Sequence, residues 1–327
     1  MNMIAIGPMS SEVIEAVFRY SHITHRPLEL IASKNQIDYK GGYVNGWNTQ
    51  QYMEYIKTMR SIYLDATVLI ARDHCGPGFN GSEDLTDTFK TIEEDIKRGF
   101  DIIHIDFCNY QGDRQQALHK AGEAITYARK RNPRMLFEIG TDEIRQVTSL
   151  AQIRANIEFF IDKCTPEYYV VNTGSLVMED QQVGVFNFEK TRQASMLLKE
   201  FNLKLKEHNV DYSTPSQIQQ RRGVVDAINV APELGVRQTE KTIQLANQYG
   251  VDLTAFLKVA YKSNKWKKWL QYTSPDDKGF CSVLAGHYVF NTKEYSRVYS
   301  NLSEVCDVKE ELISTAIEVI DKYAMNF

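Results

Sequence analysis

The chain has 327 residues, of which 43% are hydrophobic and 24% charged, and it carries a formal net charge of −4. This length permits either two average domains or one large barrel, and the composition is ordinary for a globular protein. The slight acidity gives no reason to expect a nucleic-acid partner. No run approaches the roughly 18 apolar residues of a membrane-spanning helix, so no membrane span is expected.

The five cysteines are scattered and show no CxxC spacing, which is typical of reduced thiols in a cytoplasmic protein. The first residues, MNMIAIGPMSSEV, lack a basic segment followed by a long apolar stretch. We therefore expect a cytoplasmic protein without a signal peptide.

Eight short apolar runs alternate with longer amphipathic stretches, each pair having roughly the length of one strand–helix unit. The runs are Met3–Gly7, Leu28–Ser33, Thr67–Ala71, Asp101–Phe107, Arg134–Gly140, Tyr168–Thr173, Asn202–His208 and Asp226–Ala231. Their apolarity is continuous, which favours strands of a parallel sheet covered on both faces. The seventh run alternates, as LKLKEH, and could equally end the preceding helix.

The intervening stretches have helical periodicity and helix-end signals. Ser149 with Gln152 fits a capping box, and Gly99 fits the end of a charged helix. After Gly250 the pattern predicts helices over Leu253–Tyr272 and Val308–Tyr323, separated by a loop at Pro275–Gly279.

This alternation favours a (β/α)₈ TIM barrel over residues 1–250, with residues 251–327 as a helical C-terminal extension packed on it. An open doubly wound sheet is the alternative, but the GxGxxG fingerprint of a dinucleotide fold does not follow the first strand.

The most informative segment is Thr67–Pro77, TVLIARDHCGP, in which an apolar strand ends in Asp73 and His74 before a Gly-Pro turn. In a barrel the active site lies at the carboxyl ends of the strands. The polar residues predicted there are Ser33, Lys34, Asn35, Asp73, His74, Asp106, Glu138, Thr173, Gly174, Ser175, His208 and Asn229.

Imidazole and carboxylate groups at one barrel mouth are suited to a catalytic Zn²⁺. His74 and His208 are the best metal-ligand candidates, with Glu138 as a third. Asp73 could move a proton beside the metal, or could instead pair with Arg72 or cap the turn. Asp106 and Glu138 could orient an imidazole or be buried, paired acids. His104 shares the side of Asp106, either in the barrel or against the helices.

Other strand-end residues are candidates for binding a substrate. Lys34, beside Asn35, or Arg72 could pair with a phosphate or carboxylate, and Gly41-Gly42 could let the backbone approach a ligand closely. Thr173-Gly174-Ser175 offers hydroxyl groups and amides for the same purpose. A Schiff-base mechanism is disfavoured, because the sixth strand has no lysine and Lys34 lies in a polar loop.

These residues resemble those of the class II, metal-dependent aldolase superfamily, and most closely the non-catalytic subunit family of tagatose-bisphosphate aldolase. The similarity rests on NQIDYKGGY (35–43), RDHCGPG (72–78), GFDIIHID (99–106), EIGTDE (138–143), EHNVDYSTP (207–215) and INVAPELG (228–235). The first two motifs are the most specific.

The resemblance implies a TIM barrel that acts on phosphorylated sugars or triose phosphates with a divalent metal, usually Zn²⁺. It implies that Asp73 is the catalytic acid/base and that His74 is the first metal histidine. His208 matches the family's histidine near the seventh strand, Glu138 the acid on the fifth strand, and Asn229 the asparagine of the substrate-binding motif on the eighth strand. Two positions depart from the family: VVNTGSLVMED contains no histidine after the sixth strand, and His208-Asn209-Val210-Asp211 replaces a glycine-rich phosphate loop.

The predicted function is therefore an aldolase-like lyase in carbohydrate metabolism, making or cleaving a carbon–carbon bond of a phosphorylated ketose through a metal-stabilised enediolate. The alternatives are a non-catalytic partner subunit of a sugar-bisphosphate aldolase and a metal-dependent sugar epimerase or isomerase. A homo-oligomer or a complex with a partner aldolase subunit is compatible with either reading.

Overall fold

The computed structural model of the protein describes residues 2–141 and 149–327. Its strands are β1 (Met3–Ile6), β2 (Leu28–Ser33), β3 (Val68–Cys75), β4 (Ile102–Ile105), β5 (Leu136–Thr141), β6 (Tyr168–Val171), β7 (Val177–Met178), β8 (Gln181–Gln182), β9 (Lys204–Glu207) and β10 (Ala227–Val230). Its α-helices are α1 (Ser11–Thr24), α2 (Thr49–Ile62), α3 (Leu85–Arg98), α4 (Arg114–Arg131), α5 (Leu150–Ile161), α6 (Phe188–Glu200), α7 (Pro215–Gln219), α8 (Pro232–Tyr249), α9 (Thr254–Lys262), α10 (Lys278–Ala285), α11 (Lys293–Ser303) and α12 (Val308–Asn326).

Eight parallel strands close into a barrel in the order β1-β10-β9-β6-β5-β4-β3-β2. The predicted (β/α)₈ fold is confirmed, and the open sheet is excluded because β1 pairs with both β2 and β10. The weak seventh run forms β9, between β6 and β10. Within its alternating pattern, Lys206 is buried inside the barrel between Glu29 and Glu138, whereas Lys204 is half exposed and pairs with Glu167.

Successive residues of a strand face the barrel interior and the surrounding helices in turn. In β4, Ile103 and Ile105 pack in the main core with the helices, whereas Ile102 joins a small interior cluster with Ala5, Ile31 and Ala71. His104 and Asp106 follow Ile102 at spacings of two, so their side chains also face the interior. Both sides of each strand are buried, which explains the continuous apolar runs.

The helix ends match the sequence signals in most places. Ser149 and Gln152 form the predicted capping box of α5, and α3 ends at Gly99 with a φ of 89°. The region predicted to be helical over Leu253–Tyr272 contains two shorter helices: α9 ends at Lys262, Asn264 adopts a φ of 56°, and a 3₁₀ helix follows over Lys265–Lys268. A non-glycine residue in the left-handed region interrupts the helix there.

The C-terminal helices lie against the barrel's outer ring. The predicted helix over Val308–Tyr323 is present as α12, which packs against α1 and α8. We propose the division into a barrel domain of residues 1–250 and an extension of residues 251–327 as the most economical description of the chain. Across the described ranges no helix is both long and apolar enough to span a bilayer.

Candidate metal centre

Four side chains meet at the carboxyl-terminal mouth of the barrel: Asp73, His74, His104 and His208. One potential ligand atom from each lies within 4.8 Å of all the others. The ring of His74 is centred 5.3 Å from that of His208, and the ring of His104 is centred 5.4 Å from that of His208. The cluster combines residues from three separate strand ends, as predicted for His74 and His208.

An irregularity in β3 brings Asp73 and His74 to the same place. Consecutive residues of a regular strand point to opposite faces. Here the register with β4 shifts between Arg72 and Cys75, and His74 has a φ of 43°. Such a bulge re-aims side chains at a strand end. The irregularity therefore lets two neighbouring residues both reach the barrel mouth.

Asp106 holds the His74 ring in one orientation. Its Oδ2 lies 2.9 Å from His74 Nδ1 and also accepts from Thr141 Oγ1 at 3.1 Å, while Oδ1 accepts from the amide of Cys108. With Nδ1 directed at a carboxylate, Nε2 of His74 is the ring atom that faces Asp73, at 3.7 Å from its Oδ1. The carboxylate of Asp106 is thus placed to orient an imidazole. Its position at a strand end also makes Asp106 a sequence-based candidate for binding substrate, but Asp106 does not line the described cavity.

His104 is fully buried between a carbonyl and a carboxylate. Its Nε2 lies 3.0 Å from the carbonyl oxygen of Gly140, and its Nδ1 lies 3.2 Å from Asp73 Oδ1. Since a carbonyl only accepts hydrogen bonds, Nε2 carries a proton and Nδ1 is the atom that faces the cluster. Burial lowers the pKa of His104, but its hydrogen bond to Asp73 and the charge of Asp106 raise it above its usual value overall.

Asp73 is the carboxylate that belongs to the four-residue cluster. Burial alone would raise the pKa of Asp73, but the charges of His74 and His208 and the hydrogen bond with His104 hold it well below its usual range. The side chain is 16% exposed, so it is reachable from the mouth. Asp73 is therefore held as an ionised carboxylate, which can accept a hydrogen bond or a cation.

Three residues of the cluster, Asp73, His74 and His208, line a cavity of about 70 Å³. Its described lining comprises Ile31, Gln36, Asp73, His74, His208, Asn209, Asp211, Asn229, Ala231 and Pro232. Asn229, a predicted substrate-binding residue, is 7% exposed, and its Oδ1 has no hydrogen-bond partner among the described residues. This buried amide can therefore bond a group that enters the cavity.

Glu138 does not join the histidines. It is fully buried inside the barrel, where its Oε1 and Oε1 of Glu29 both accept from Nζ of Lys206. Burial raises the pKa of Glu29, and Lys206 offsets this only in part. The third imidazole comes from His104 instead of a third ligand from Glu138, which corrects the expected ligand set.

The cationic residues predicted to bind an anion are engaged elsewhere. Lys34 is 1% exposed, and its Nζ donates to Asp87 Oδ2 at 2.9 Å. Arg72 is fully buried and forms a two-pronged ion pair with Asp95. The geometry does not support a substrate role for either residue, because a buried charge without its partner is strongly destabilising.

The predicted polar loops mainly bond their own chain. Asn35 is exposed and donates to the carbonyl of Phe79. Gly41 has a φ of 109°, and a Cβ on Gly42 would lie 2.0 Å from the carbonyl oxygen of Gln36. The two glycines therefore permit a close approach within this loop, and neither they nor Asn35 line the described cavity.

The loop after β6 is fixed in the same way. The hydroxyls of Thr173 and Ser175 donate to Oε1 of Glu207, which is also paired with Arg221. Gly174 has a φ of 100°, and a Cβ there would lie 2.2 Å from the carbonyl oxygen of Val185. These three residues stabilise the loop, which corrects the expectation that they bind substrate.

Two interior residues escaped the sequence-based assignment. His104 received no role because its strand face was undecided, although its spacing from Asp106 placed both on the same side. Lys206 has no clear signal in the sequence, because the alternating pattern of the seventh run does not distinguish a barrel strand from the end of a helix. Its presence does not favour Schiff-base chemistry, since burial lowers the pKa of Lys206 but Glu138 and Glu29 raise it above the usual value, which keeps the amine protonated.

The donor set fits a divalent transition metal. Three imidazoles and one carboxylate are ligands that Zn²⁺ accepts, and an orienting carboxylate such as Asp106 is a common second neighbour of a metal-bound histidine. Asp142 and Glu143 of the EIGTDE motif lie outside the described residues. Within the described part of the chain, these four side chains form the group close enough together to hold an ion.

The chain shares its barrel fold with several solved structures, which include an aldolase and an epimerase. Over the whole of both chains, it matches a probable tagatose 6-phosphate kinase from Sinorhizobium meliloti 1021, at 16% identity and a TM-score of 0.84. Fructose-bisphosphate aldolase from Campylobacter jejuni matches at 12% identity and a TM-score of 0.65, covering 99% of this chain and 90% of that one. Fructuronate-tagaturonate epimerase UxaE from Cohnella laeviribosi matches at 11% identity and a TM-score of 0.67, covering 99% and 81%.

The sequence itself matches a family in its first part. Residues 2–150 fit the family described as D-tagatose-1,6-bisphosphate aldolase subunit GatZ/KbaZ-like. The resemblance to the tagatose-bisphosphate aldolase subunit family, which the motifs indicated, is thereby confirmed over this part of the chain.

Proposed function

We propose that this protein is a metal-dependent lyase of the aldolase type, which makes or cleaves a carbon–carbon bond of a ketose phosphate in the carbohydrate metabolism of the cytoplasm. The observation that carries the proposal is the convergence of His74, His104, His208 and Asp73 within 4.8 Å at the barrel mouth. The subunit family supports the substrate class. Zn²⁺ is the proposed ion, held by the three imidazoles with Asp73 beside or bound to it.

A bound divalent ion would polarise the ketose carbonyl and stabilise negative charge on the adjacent oxygens. Asp73 accepts the proton of the hydroxyl on the carbon that becomes the aldehyde. The electrons of that O–H bond form the new carbonyl, the carbon–carbon bond breaks, and its electron pair passes to the ketose-derived fragment as an enediolate. Asp106 keeps His74 oriented, and Asn229 offers a hydrogen bond to a substrate oxygen.

A non-catalytic partner subunit is the second candidate, because the matching family is described as an aldolase subunit. The retained cluster of three imidazoles and Asp73 weighs against a chain that has lost its chemistry altogether. An epimerase or isomerase would use the same enediolate but would return a product with an unchanged number of carbon atoms. Homo-oligomerisation and association with an aldolase subunit stay predictions.

The test is made on the purified chain alone. Its zinc content is measured first. Tagatose and fructose are then supplied as substrates, each in its free and phosphorylated forms. Triose products and isomerised ketoses are separated by chromatography. We expect one zinc per chain and release of a triose. Zinc binding without any turnover, restored only by a second aldolase polypeptide, would favour the partner subunit. A new ketose of the same size would favour the epimerase.

A further inference from the structure

The loop after β9 and the start of α8 form one part of the cavity wall, to which they contribute Asn209, Asp211, Ala231 and Pro232. In TIM barrels, loops after the last two strands and a helix N-terminus there often bind a substrate phosphate through free amides. In this protein a side chain of the chain itself lies at that position. Asp211 Oδ1 accepts from the amide of Ala231 at 2.8 Å and from the amide of Glu233 at 2.9 Å.

Asp211 is firmly built into this position. It is 1% exposed, and it lines the cavity beside Ala231 and Pro232. Burial and the nearby charge of Glu233 raise the pKa of Asp211 to about 7, against the lowering effect of the two amides. In either protonation state the side chain accepts from both amides and fills the space in front of them.

The neighbouring amides also have acceptors within the protein. The amide of Val210 donates to the carbonyl of Asn229, that of Tyr212 to Oε2 of Glu233, and that of Ser213 to the carbonyl of Val210. A phosphate at this wall would have to displace protein acceptors from amides that are already satisfied.

The described lining of the cavity contains no lysine or arginine. The candidates for a phosphate partner, Lys34 and Arg72, are buried in ion pairs with Asp87 and Asp95. The loop of Thr173 and Ser175 is likewise satisfied by Glu207. The polar group that is buried and available at this end is the amide of Asn229, which suits a hydroxyl group.

We propose that Asp211 takes the place of a substrate phosphate, so that the end of the substrate lying against α8 carries a hydroxyl group. This inference rests on the proposed function for the identity of the ligand as a ketose or triose. It narrows the substrate class: any phosphate of the ketose is on the end directed away from α8. Asp211 is thus a specificity-determining residue.

The first experiment measures inorganic phosphate binding to the full chain without added metal, by isothermal titration calorimetry. Asp211→Gly exposes the amides of Ala231 and Glu233, and we expect this variant to bind phosphate roughly tenfold or more tightly than the wild type does. Asp226→Gly is the matched control, because Asp226 Oδ2 also accepts a backbone amide, from Leu205 at 2.8 Å, away from the cavity lining. The control is expected to resemble the wild type.

Phosphate binding by the wild type at the α8 end, or an unchanged affinity in folded Asp211→Gly, overturns the inference. A second measurement uses the wild type alone, in case the variant does not fold. Zinc-loaded protein is titrated with dihydroxyacetone and with dihydroxyacetone phosphate, and the phosphate ester is expected to bind roughly tenfold or more weakly. Equal or tighter binding of the ester also overturns it.

The two proposals fail in different ways. If neither triose binds the zinc-loaded wild type while Asp211→Gly gains phosphate binding, the proposed function is contradicted and the replacement of phosphate by Asp211 is supported. If dihydroxyacetone phosphate binds and reacts with an added aldehyde to form a carbon–carbon bond, the proposed lyase function is supported. The inference that Asp211 selects against phosphate is then contradicted.

Discussion

At the scale of single residues, Asp73 has the most specific chemical assignment. It is the ionised carboxylate of the cluster, and its side chain is 16% exposed. If it accepts the substrate proton, Asp73→Ala lowers turnover by roughly 10²–10⁴-fold. Steady-state kinetics at measured zinc occupancy tests this, with Asp65→Ala as the control, because that side chain is 69% exposed. Near-normal turnover in the Asp73 variant refutes the assignment.

Asp106 acts one contact further out, through His74. Asp106→Asn keeps the shape of the side chain but removes the charge that faces Nδ1 of His74. Loss of such an orienting carboxylate weakens metal binding by about 10–100-fold. Zinc affinity is measured by competition with a chelator. Asp101→Asn is the control. Asp101 lies just before β4, whereas Asp106 lies just after it, and Oδ2 of Asp101 accepts from the amide of Ile70 and pairs with Arg60, away from the histidines. Equal affinities in both variants would exclude the orienting role.

Sequence reasoning brought His74, His208, Asp73 and Asn229 to one mouth, because strand ends of a parallel barrel converge. It misjudged Lys34 for a reason that the sequence cannot reveal. Lys34 lies in a polar loop, but the loop folds back so that its ammonium group is buried against Asp87. Whether a charged side chain faces solvent or an internal partner depends on packing between segments distant in the chain.

At the scale of elements, the link between β3 and α3 is a buried ion pair. Both Arg72 and Asp95 are fully buried, and Nη1 of Arg72 also donates to the carbonyl of Ala32 at 3.0 Å. Asp95→Ala leaves a buried guanidinium without its counter-ion, and we expect a loss of about 3–5 kcal/mol in the free energy of unfolding.

Urea denaturation measures this loss. The control is Glu94→Ala on the same helix. In the described structure Glu94 pairs with Lys97 and Arg98, which are more exposed than the buried Arg72 and Asp95, so its removal should lower the free energy of unfolding by about 1 kcal/mol or less. Similar losses in the two variants would mean that the buried pair does not hold β3 to α3.

The end of β3 shows what an element pattern omits. The apolar run and the Asp-His pair predicted a strand that ends at the site, but regular alternation would have turned one of the two side chains away. The register shift and the positive φ of His74 resolve this conflict. Neither follows from residue type, because positive φ is uncommon for any non-glycine residue, even for histidine, which is enriched in that backbone region.

At the scale of the whole molecule, eight buried runs separated by amphipathic segments were sufficient to predict the barrel. They were not sufficient to place the C-terminal helices. The periodicity of α12 shows that one face is buried, but it does not say that this face meets α1 and α8. The hydroxyl of Tyr323, on α12, donates to Oε2 of Glu233, on the first turn of α8, at 2.6 Å. The extension therefore helps to hold the start of α8 beside the cavity.

A buried histidine in the C-terminal extension is expected to make the free energy of unfolding of this protein depend on pH. His287, in the 3₁₀ helix Gly286–Val289, is 1% exposed and packs against Gly235 of α8 and the rings of Tyr43 and Tyr288. Neither ring nitrogen has a hydrogen-bond partner in the described structure. Burial, with a smaller effect from the charge of Lys268, lowers the pKa of His287 to about 3 from 6.5.

Between pH 6.5 and 3 the unfolded chain therefore binds a proton at His287 that the native chain excludes. The contribution of His287 to the free energy of unfolding is constant above pH 6.5. Below pH 6.5 this contribution decreases, by up to about 1.4 kcal/mol for each unit that the pH falls. Urea denaturation at pH 7.5, 5.5 and 4.5 should show His287→Leu losing less stability on acidification than the wild type. His119→Leu, on the exposed face of α4, should follow the wild type instead. Parallel losses in the wild type and the His287 variant would mean that acid acts on this fold through other groups.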